Sequence, residues 1–166
     1  MGFKKTSETI AISFGLSESA ANTFTQEEVA LQLDVLNNEI FVVLAVDLNP
    51  TAPDNVAGAT TETRATVSST SNTAITTLSS SNTLAEADLI IVSDGATAVS
   101  FTRAAEESYS GALDYLALIS TNNFFVAVKG TANVAAKGVS GRVWGYRARA
   151  DGSTYAALVQ SEVLSS

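Results

Sequence analysis

The chain has 166 residues, 46% of them hydrophobic, and a formal net charge of −8. This length and apolar content are sufficient for a folded domain with a buried core. The sequence contains no cysteine and no histidine, which excludes disulfides, thiolate chemistry, Ser-His-Asp catalysis and nearly all zinc sites.

The N-terminal third contains three segments with strand-like patterns. Residues 8–16 alternate between apolar and polar positions, which predicts a half-buried strand. Residues 24–35 also alternate, and we favour a strand there over a short helix. Residues 40–48 form a nearly continuous apolar run rich in β-branched residues, which predicts a strand buried on both faces. Asn37 and Asn38 predict the turn before it.

The middle of the chain is rich in Ser and Thr. Residues 49–59 contain both prolines, which predicts a long exposed loop. Residues 60–70 predict a strand with Ala65 and Val67 facing inward. Residues 72–81 have the spacing of one or two helical turns.

The second half contains further short apolar segments separated by turn residues. Five of them predict strands: residues 84–92, 99–103, 112–119, 124–130 and 138–149. Residues 104–111 fit either a loop or a helical turn. Residues 153–164 have apolar residues at helical spacing, with Ser153 or Thr154 as the cap, and a terminal strand is the alternative.

About eight to ten short strands without alternating helices predict an all-β fold. We expect an antiparallel β-sandwich of jelly-roll or Greek-key type with a short C-terminal helix, because the loop at 49–59 favours crossing connections. One domain over residues 1–166 is expected, with a flexible arm at residues 1–7. The start of the chain lacks a signal-peptide pattern, and no run approaches the roughly 18 apolar residues of a membrane span.

Charge is distributed unevenly along the chain. Residues 1–128 have a net charge of −11, and residues 129–166 have a net charge of +3. An acidic protein is a poor general binder of nucleic acid, but its basic segment complements acidic surfaces of other copies. We therefore predict a subunit interface that includes Lys129, Lys137, Arg142, Trp144, Tyr146, Arg147 and Arg149.

The segment 142–149 mixes arginine with aromatic residues. On a strand, one face receives Arg142, Trp144 and Tyr146, and the other receives Val143, Gly145, Arg147 and Arg149. This mixture is typical of protein interfaces and of surfaces that stack single-stranded nucleic acid. A third interpretation is an intrachain role with the tryptophan in the core. The acidic balance of the chain favours the protein interface.

Carboxylates are the remaining reactive groups. Adjacent acids occur as Glu27–Glu28, Glu86 with Asp88, and Glu106–Glu107. A glycosidase requires two carboxylates that face each other about 5–9 Å apart. Glu86 and Asp88 share one strand face, but side chains two positions apart are commonly both solvated, and we favour that interpretation.

Loop aspartates provide a second set of candidates. Asp47 with Asp54, or Asp94 beside Gly95, would supply oxygen ligands for calcium. The spacing of an EF-hand loop is absent, and we favour turn and loop roles for these residues. Serine-nucleophile and phosphate-loop motifs are also absent. We therefore expect no catalysis, no cofactor and no small-molecule ligand.

The segment 133–148, Asn-Val-Ala-Ala-Lys-Gly-Val-Ser-Gly-Arg-Val-Trp-Gly-Tyr-Arg-Ala, and the Ser/Thr/Ala/Val-rich β pattern around it resemble small single-jelly-roll capsid or capsid-decoration (cement) proteins of bacterial and archaeal viruses. The resemblance implies a capsid subunit in the virion, with copies of itself and other capsid proteins as partners and no catalytic residues. The short basic start, Lys4-Lys5, departs from a genome-binding arm. Direct genome binding is therefore in doubt.

Three alternatives to a capsid subunit remain open at this point. The first is a decoration protein that needs a preformed scaffold. The second is a glycan- or ligand-binding sandwich, which predicts exposed aromatic residues near a loop end. The third is an enzyme that uses carboxylates only. The aromatic candidates for glycan binding are Tyr109, Trp144, Tyr146 and Tyr155.

Overall fold

The computed structural model describes residues 2–103 and 114–165. Residues 104–113, including Tyr109 and the Glu106–Glu107 pair, lie outside the described residues. The described part contains these strands in chain order: β1 (Phe3–Lys5), β2 (Ile10–Ser17), β3 (Thr25–Ala30), β4 (Glu39–Pro50), β5 (Thr60–Ser68), β6 (Thr83–Ser93), β7 (Ala98–Arg103), β8 (Ala117–Ile119), β9 (Asn123–Thr131) and β10 (Gly138–Ala150). A 3₁₀ helix (Val35–Asn37) precedes β4, and an α-helix, α1 (Gly152–Ser165), follows β10.

The strands form two antiparallel sheets. Sheet A has the order β2–β10–β4–β8, and β1 pairs with the far end of β10. Sheet B has the order β3–β9–β5–β6–β7. The chain crosses between the sheets repeatedly, so most neighbours within a sheet are distant in sequence.

The pairing identifies the fold as a jelly roll. β2 pairs with β10, β3 with β9, β4 with β8, and β5 with β6, all antiparallel. These pairs are the successive rungs of one long hairpin wound into two sheets, as in two interleaved Greek keys. β7 is additional to these eight strands and extends sheet B beyond β6. The predicted fold class is confirmed, including the C-terminal helix.

The space between the sheets is filled by apolar side chains. Phe41 and Phe124 are its largest fully buried members, and Phe14 meets Phe124 edge-on with ring centroids 6.3 Å apart. Ala65 and Val67 face this core, as predicted. Burial of this surface is the main force that holds the two sheets together.

A second apolar cluster lies on the outer face of sheet A. Ile40 and Val42 of β4 are fully buried there, beneath Tyr155 and Leu158 of α1 and beside Phe3 of β1. β4 is therefore buried on both faces, which confirms the prediction from its continuous apolar run. The weakly amphipathic helix is held by this contact.

β10 passes unusually close to β4 where their register shifts. The shift falls between Trp144 and Gly145, where β4 has one extra residue, which is the signature of a β-bulge. A Cβ on Gly145 would lie 2.3 Å from the carbonyl oxygen of Val42. Only glycine permits this approach. Val143 faces the core between the sheets and Tyr146 faces the outer cluster, as the alternation predicted.

The strand predicted over residues 24–35 is shorter in the structure. β3 ends at Ala30, and Gln32 has φ +54°, a left-handed conformation that ends strand pairing. Leu31 and Leu33 still enter the main core. The predicted turn is present, because Asn38 adopts φ +54° after the 3₁₀ helix.

The helical turns predicted over residues 72–81 are wrong. This segment forms turns and bends, in which side chains form hydrogen bonds with backbone amides and with each other. The Leu78 amide donates to Glu86 Oε2 at 3.1 Å, and the Asn72 side chain donates to Ser68 Oγ at 3.2 Å. Ser, Thr and Asn compete with helical hydrogen bonds in this way.

Both ends of the chain differ in detail from the expectation. Residues 3–5 of the predicted flexible arm are paired with β10, and the Thr6 amide donates to the Arg147 carbonyl at 2.9 Å. At α1 the cap is Asp151, whose Oδ1 accepts from the Thr154 amide at 2.7 Å, and it replaces the predicted Ser153 or Thr154. Within residues 2–103 and 114–165, no helix has the length and apolar content needed to cross a membrane.

Candidate functional site

The seven residues of the predicted interface lie on β9, on β10 and in the loop between them. Because β10 is paired on both sides, with β4 and with β1 and β2, its side chains are held at fixed positions on sheet A. Two of these seven residues, Lys137 and Arg147, form ion pairs within the chain, and the other five lie on an outer face or at the end of the sandwich.

Arg147 is engaged within the chain. Its Nη1 lies 2.9 Å from Glu39 Oε1 and also donates to the Gln32 carbonyl at 3.3 Å. Its Nη2 donates to the Leu31 carbonyl. The guanidinium thus joins β10 to the irregular segment after β3, a role for which its fan of donors is suited.

Lys137 is also engaged within the chain. Its side chain is 7% exposed, and its Nζ lies 2.7 Å from Asp54 Oδ1. The same carboxylate accepts from the amides of Val134 and Ala135. The hydrogen bond from Lys137, with those from the two amides, lowers the pKa of Asp54. The loop predicted over 49–59 is therefore tied to the loop before β10.

A buried glutamate completes this end of the sandwich, and sequence reasoning missed it. Glu18 accepts hydrogen bonds from the amides of Thr23, Gly130 and Lys137, at 2.7–2.9 Å. Three donors satisfy a carboxylate that would otherwise be costly to bury. Two of its three partners are backbone amides more than 100 residues away in the sequence. No local motif therefore predicts this role for Glu18.

The remaining residues of β10 face outward. Arg142 is exposed, and its Nε donates to Ser13 Oγ at 3.1 Å. Trp144 is half-buried on the same face. Tyr146 belongs to the outer apolar cluster, and Lys5 Nζ lies 4.9 Å from its ring centroid, within cation–π range.

Arg149 is exposed at the end of β10, where Lys4 lies directly opposite it. The two cations border an open groove whose other lining residues are Gly2, Phe3, Thr6, Ala150 and Asp151. Arg149 also lies opposite Glu39 of β4, so acidic residues flank the two cations. Lys129 lies half-buried on β9, opposite Arg64 in register.

Acidic residues form a cluster on the outer face of sheet B. Arg64 Nη2 lies 3.1 Å from Asp88 and 3.2 Å from Glu62, and its Nε lies 3.8 Å from Glu86. The prediction that Glu86 and Asp88 share a face is confirmed, but the interpretation that both are solvated is wrong. Each is only 8% exposed, because both carboxylates lie against the Arg64 guanidinium. Burial, together with the neighbouring Asp88 carboxylate, raises the pKa of Glu62 against the opposing effect of Arg64.

The other acidic candidates do not converge. Glu27 and Glu28 are exposed on opposite faces of β3, an edge strand. Asp47 is exposed on β4. Asp94 accepts from the amides of Thr97 and Ala96, which lowers its pKa. Among the described residues no group of three or more acidic side chains has the arrangement of a metal site.

An apolar strip lies at the far edge of sheet B. Val92 of β6 is 42% exposed, and Val99 and Phe101 of β7 are 55% and 56% exposed. Val92 lies opposite Val99, and Ile90 lies opposite Phe101, so the four side chains share the outer face. The sequence predicted a short strand at 99–103. The pairing of β7 with β6 shows that its apolar residues are on the outer face.

The aromatic candidates for glycan binding lie away from the loop ends. Trp144 and Tyr146 project from the middle of β10, and Tyr155 of α1 packs into the outer cluster of sheet A. The described part of the chain thus brings none of these three rings to an exposed loop.

The chain matches no protein-family model and no curated protein. Among solved structures, one titled Desmodium yellow mottle tymovirus superposes with a TM-score of 0.30 and 12% sequence identity, covering 84% of this chain and 87% of that chain. A superposition at this score supports no conclusion about function. The assignment of the fold therefore rests on the strand order of the chain itself.

Proposed function

We propose that this chain is a non-enzymatic structural protein, a virion subunit that assembles in many copies into a capsid-type shell. The supporting observation is the jelly-roll strand order with an apolar interior. This fold serves shell proteins, lectins and cupins. Arg142, Arg149 and the apolar strip of Val92, Val99 and Phe101 are exposed.

Charge on that surface supports contacts between copies. Arg142 and Arg149 are exposed and have no ion pair among the described residues. The body of the chain is acidic, with a net charge of −11 over residues 1–128. Opposite charges on two copies steer association and fix its orientation. Arg147 and Lys137 stabilise the fold of one copy instead, although a role for them in the interface stays a prediction.

The proposal is tested by light scattering and negative-stain imaging over a range of protein and salt concentrations. We expect closed shells or defined oligomers larger than a dimer, and we expect high salt to weaken them because exposed charge contacts are screened. A monomer under every condition would contradict self-assembly. A decoration protein would then be distinguished by its binding to preformed capsids, and a glycan-binding module by a sugar screen.

A matched pair of variants isolates the basic segment. Arg149→Gln removes one positive charge from the proposed contact, and Asn55→Glu changes the net charge equally in an exposed loop. We expect assembly of the arginine variant to require about tenfold more protein, the effect of losing one favourable charge contact. Equal behaviour of both variants would show that only net charge matters.

A further inference from the structure

We propose that β7 is a self-pairing strand: two copies of this chain join β7 to β7 antiparallel about a two-fold axis, which merges their B sheets into one. This contact would join subunits within the proposed shell, and its biological role rests on the proposed function. A second copy is then the occupant of the apolar strip.

β7 lies at the edge of sheet B. Within the described residues β7 pairs only with β6, so one row of its backbone N–H and C=O groups has no strand partner. The eight strands of the jelly roll are complete without it. Proteins commonly protect such edges with charged residues or proline, and residues 98–102 contain neither.

The apolar strip lies next to this edge. Val92, Val99 and Phe101 are large, exposed and on one face. Extension of the sheet across β7 brings the strip of one copy against the same strip of the other. The contact is isologous, because each copy uses the same surface.

The register of a β7–β7 pair is also constrained. Residues opposite each other in an antiparallel pair must share a face. Every register whose two-fold axis passes through a residue meets this condition, and we compare the three centred on Val99, Ser100 and Phe101. Only the register centred on Ser100 pairs Val99 with Phe101 on both sides of the axis. The other two place one of these apolar residues opposite Thr97 or Arg103.

Charge selects this edge over the opposite edge of sheet B. β3 carries Glu27 and Glu28 side by side, and two copies joined there would place like charges close together, which is unfavourable. β7 is uncharged from 98 to 102.

The edges of sheet A are less suited to self-pairing. β8 has three residues. β2 is longer, but its outward residues Ala11, Ser13 and Gly15 are small, because its larger side chains face the core. A pair of copies joined at β2 would bury little apolar surface, and burial is the main source of association free energy.

Cysteine cross-linking tests the register, and the natural chain has no cysteine to interfere. Ser100→Cys places two thiols opposite each other with Cα atoms about 4.5–5.5 Å apart, within the range of a disulfide. Thr102→Cys is the matched control on the same face of the same strand. Its two thiols are separated by about four residues, roughly 13 Å.

We expect mild oxidation to convert Ser100→Cys into a covalent dimer with at least about tenfold higher yield than Thr102→Cys, because only the first satisfies disulfide geometry. A mixture of Thr102→Cys and Ala98→Cys chains should cross-link, since these positions face each other in the proposed register. Equal yields for the two single variants would overturn the inference.

A second measurement does not depend on disulfide formation. Phe101→Asp should abolish the dimer, whereas Leu36→Asp changes another exposed apolar residue, 95% exposed, and should leave the dimer intact. Retained folding is checked by circular dichroism. A Phe101→Asp chain that associates like the natural chain would contradict the proposal.

The two proposals fail separately. Shells from the natural chain, with equal cross-linking of both cysteine variants, would remove β7 pairing and leave the shell function. Selective cross-linking at Ser100, with no assembly larger than a dimer under any condition, would support β7 pairing and remove the shell function.

Discussion

The outer faces of the two sheets differ in what covers them. On sheet A the apolar side chains of β4 and β10 are buried beneath α1 and β1. On sheet B the apolar side chains of β6 and β7 are exposed. Apolar side chains on the outer faces of the two sheets therefore differ in burial. On sheet A, segments from the two ends of the chain pack over them.

The contrast shows which face is available to partners. The cover on sheet A uses the chain's own helix, so its apolar surface is satisfied within one copy. The middle of sheet B is occupied by the polar cluster around Arg64, and large exposed apolar side chains lie at its far edge. Exposed apolar patches that are bordered by polar residues mark interaction sites. We propose that a second copy of the chain covers this patch.

The largest effect should come from breaking the covered face. Ile40 is fully buried between β4 and the helix, so Ile40→Ala should lower the free energy of unfolding by about 3 kcal/mol. Val92→Ala, on the exposed strip, should lower it by less than about 0.5 kcal/mol. Urea denaturation of both variants as dilute monomers measures the difference. Equal losses would mean that the strip is covered within the chain.

A smaller effect should come from loosening the cover itself. Leu158 packs into the outer cluster, and Leu158→Asp should destabilise the chain by about 2 kcal/mol because a charge replaces an apolar contact. Ala157→Asp, at an exposed helix position, has a similar cost in helix propensity and serves as the control. A fluorescent dye that binds apolar surface should detect the uncovered face only in the first variant. Dye binding by both, or by neither, would contradict this role of the helix.

The covered strand was predictable and the uncovered one was not. The unbroken apolar run at 40–48 indicated burial on both faces, because an alternating strand has only one apolar face. Residues 99–103 were predicted as a strand, but the exposure of Val99 and Phe101 depends on which segments pack against them, and that is a property of the tertiary fold. The position of β7 at the edge of sheet B could not be predicted without the strand order of that sheet.

The same distinction applies to the candidate residues. The shared face of Glu86 and Asp88 follows from a spacing of two on a strand, so the sequence predicted it. Their common partner Arg64 lies on another strand, and the pair required the register of β5 with β6. The intrachain roles of Arg147 and Lys137 depend on residues about 80 to 110 positions away. Composition and period contain no information about such pairs.

The smallest effect concerns the polar cluster that separates the exposed strip from the rest of sheet B. Three carboxylates share one arginine there, and the pKa of Glu62 is raised, first by burial and then by Asp88. A raised pKa means that the folded state binds the proton more tightly than the unfolded state. The stability gained from this proton is fully present below the ordinary glutamate pKa of about 4.3 and is lost as the pH rises through the folded value.

Glu62→Gln should therefore stabilise the chain at pH 7, by about 0.5 kcal/mol after allowance for solvent screening, and should have no effect near pH 3.5, where the natural side chain is itself protonated. Glu28→Gln, on the same outer face but exposed on β3, serves as the control and should change stability at neither pH. Urea denaturation at the two pH values measures both variants. If Glu62→Gln instead destabilised the chain at pH 7, the ion pair with Arg64 would outweigh burial and the Asp88 carboxylate, and the cluster would be a source of stability on sheet B comparable to the helix on sheet A.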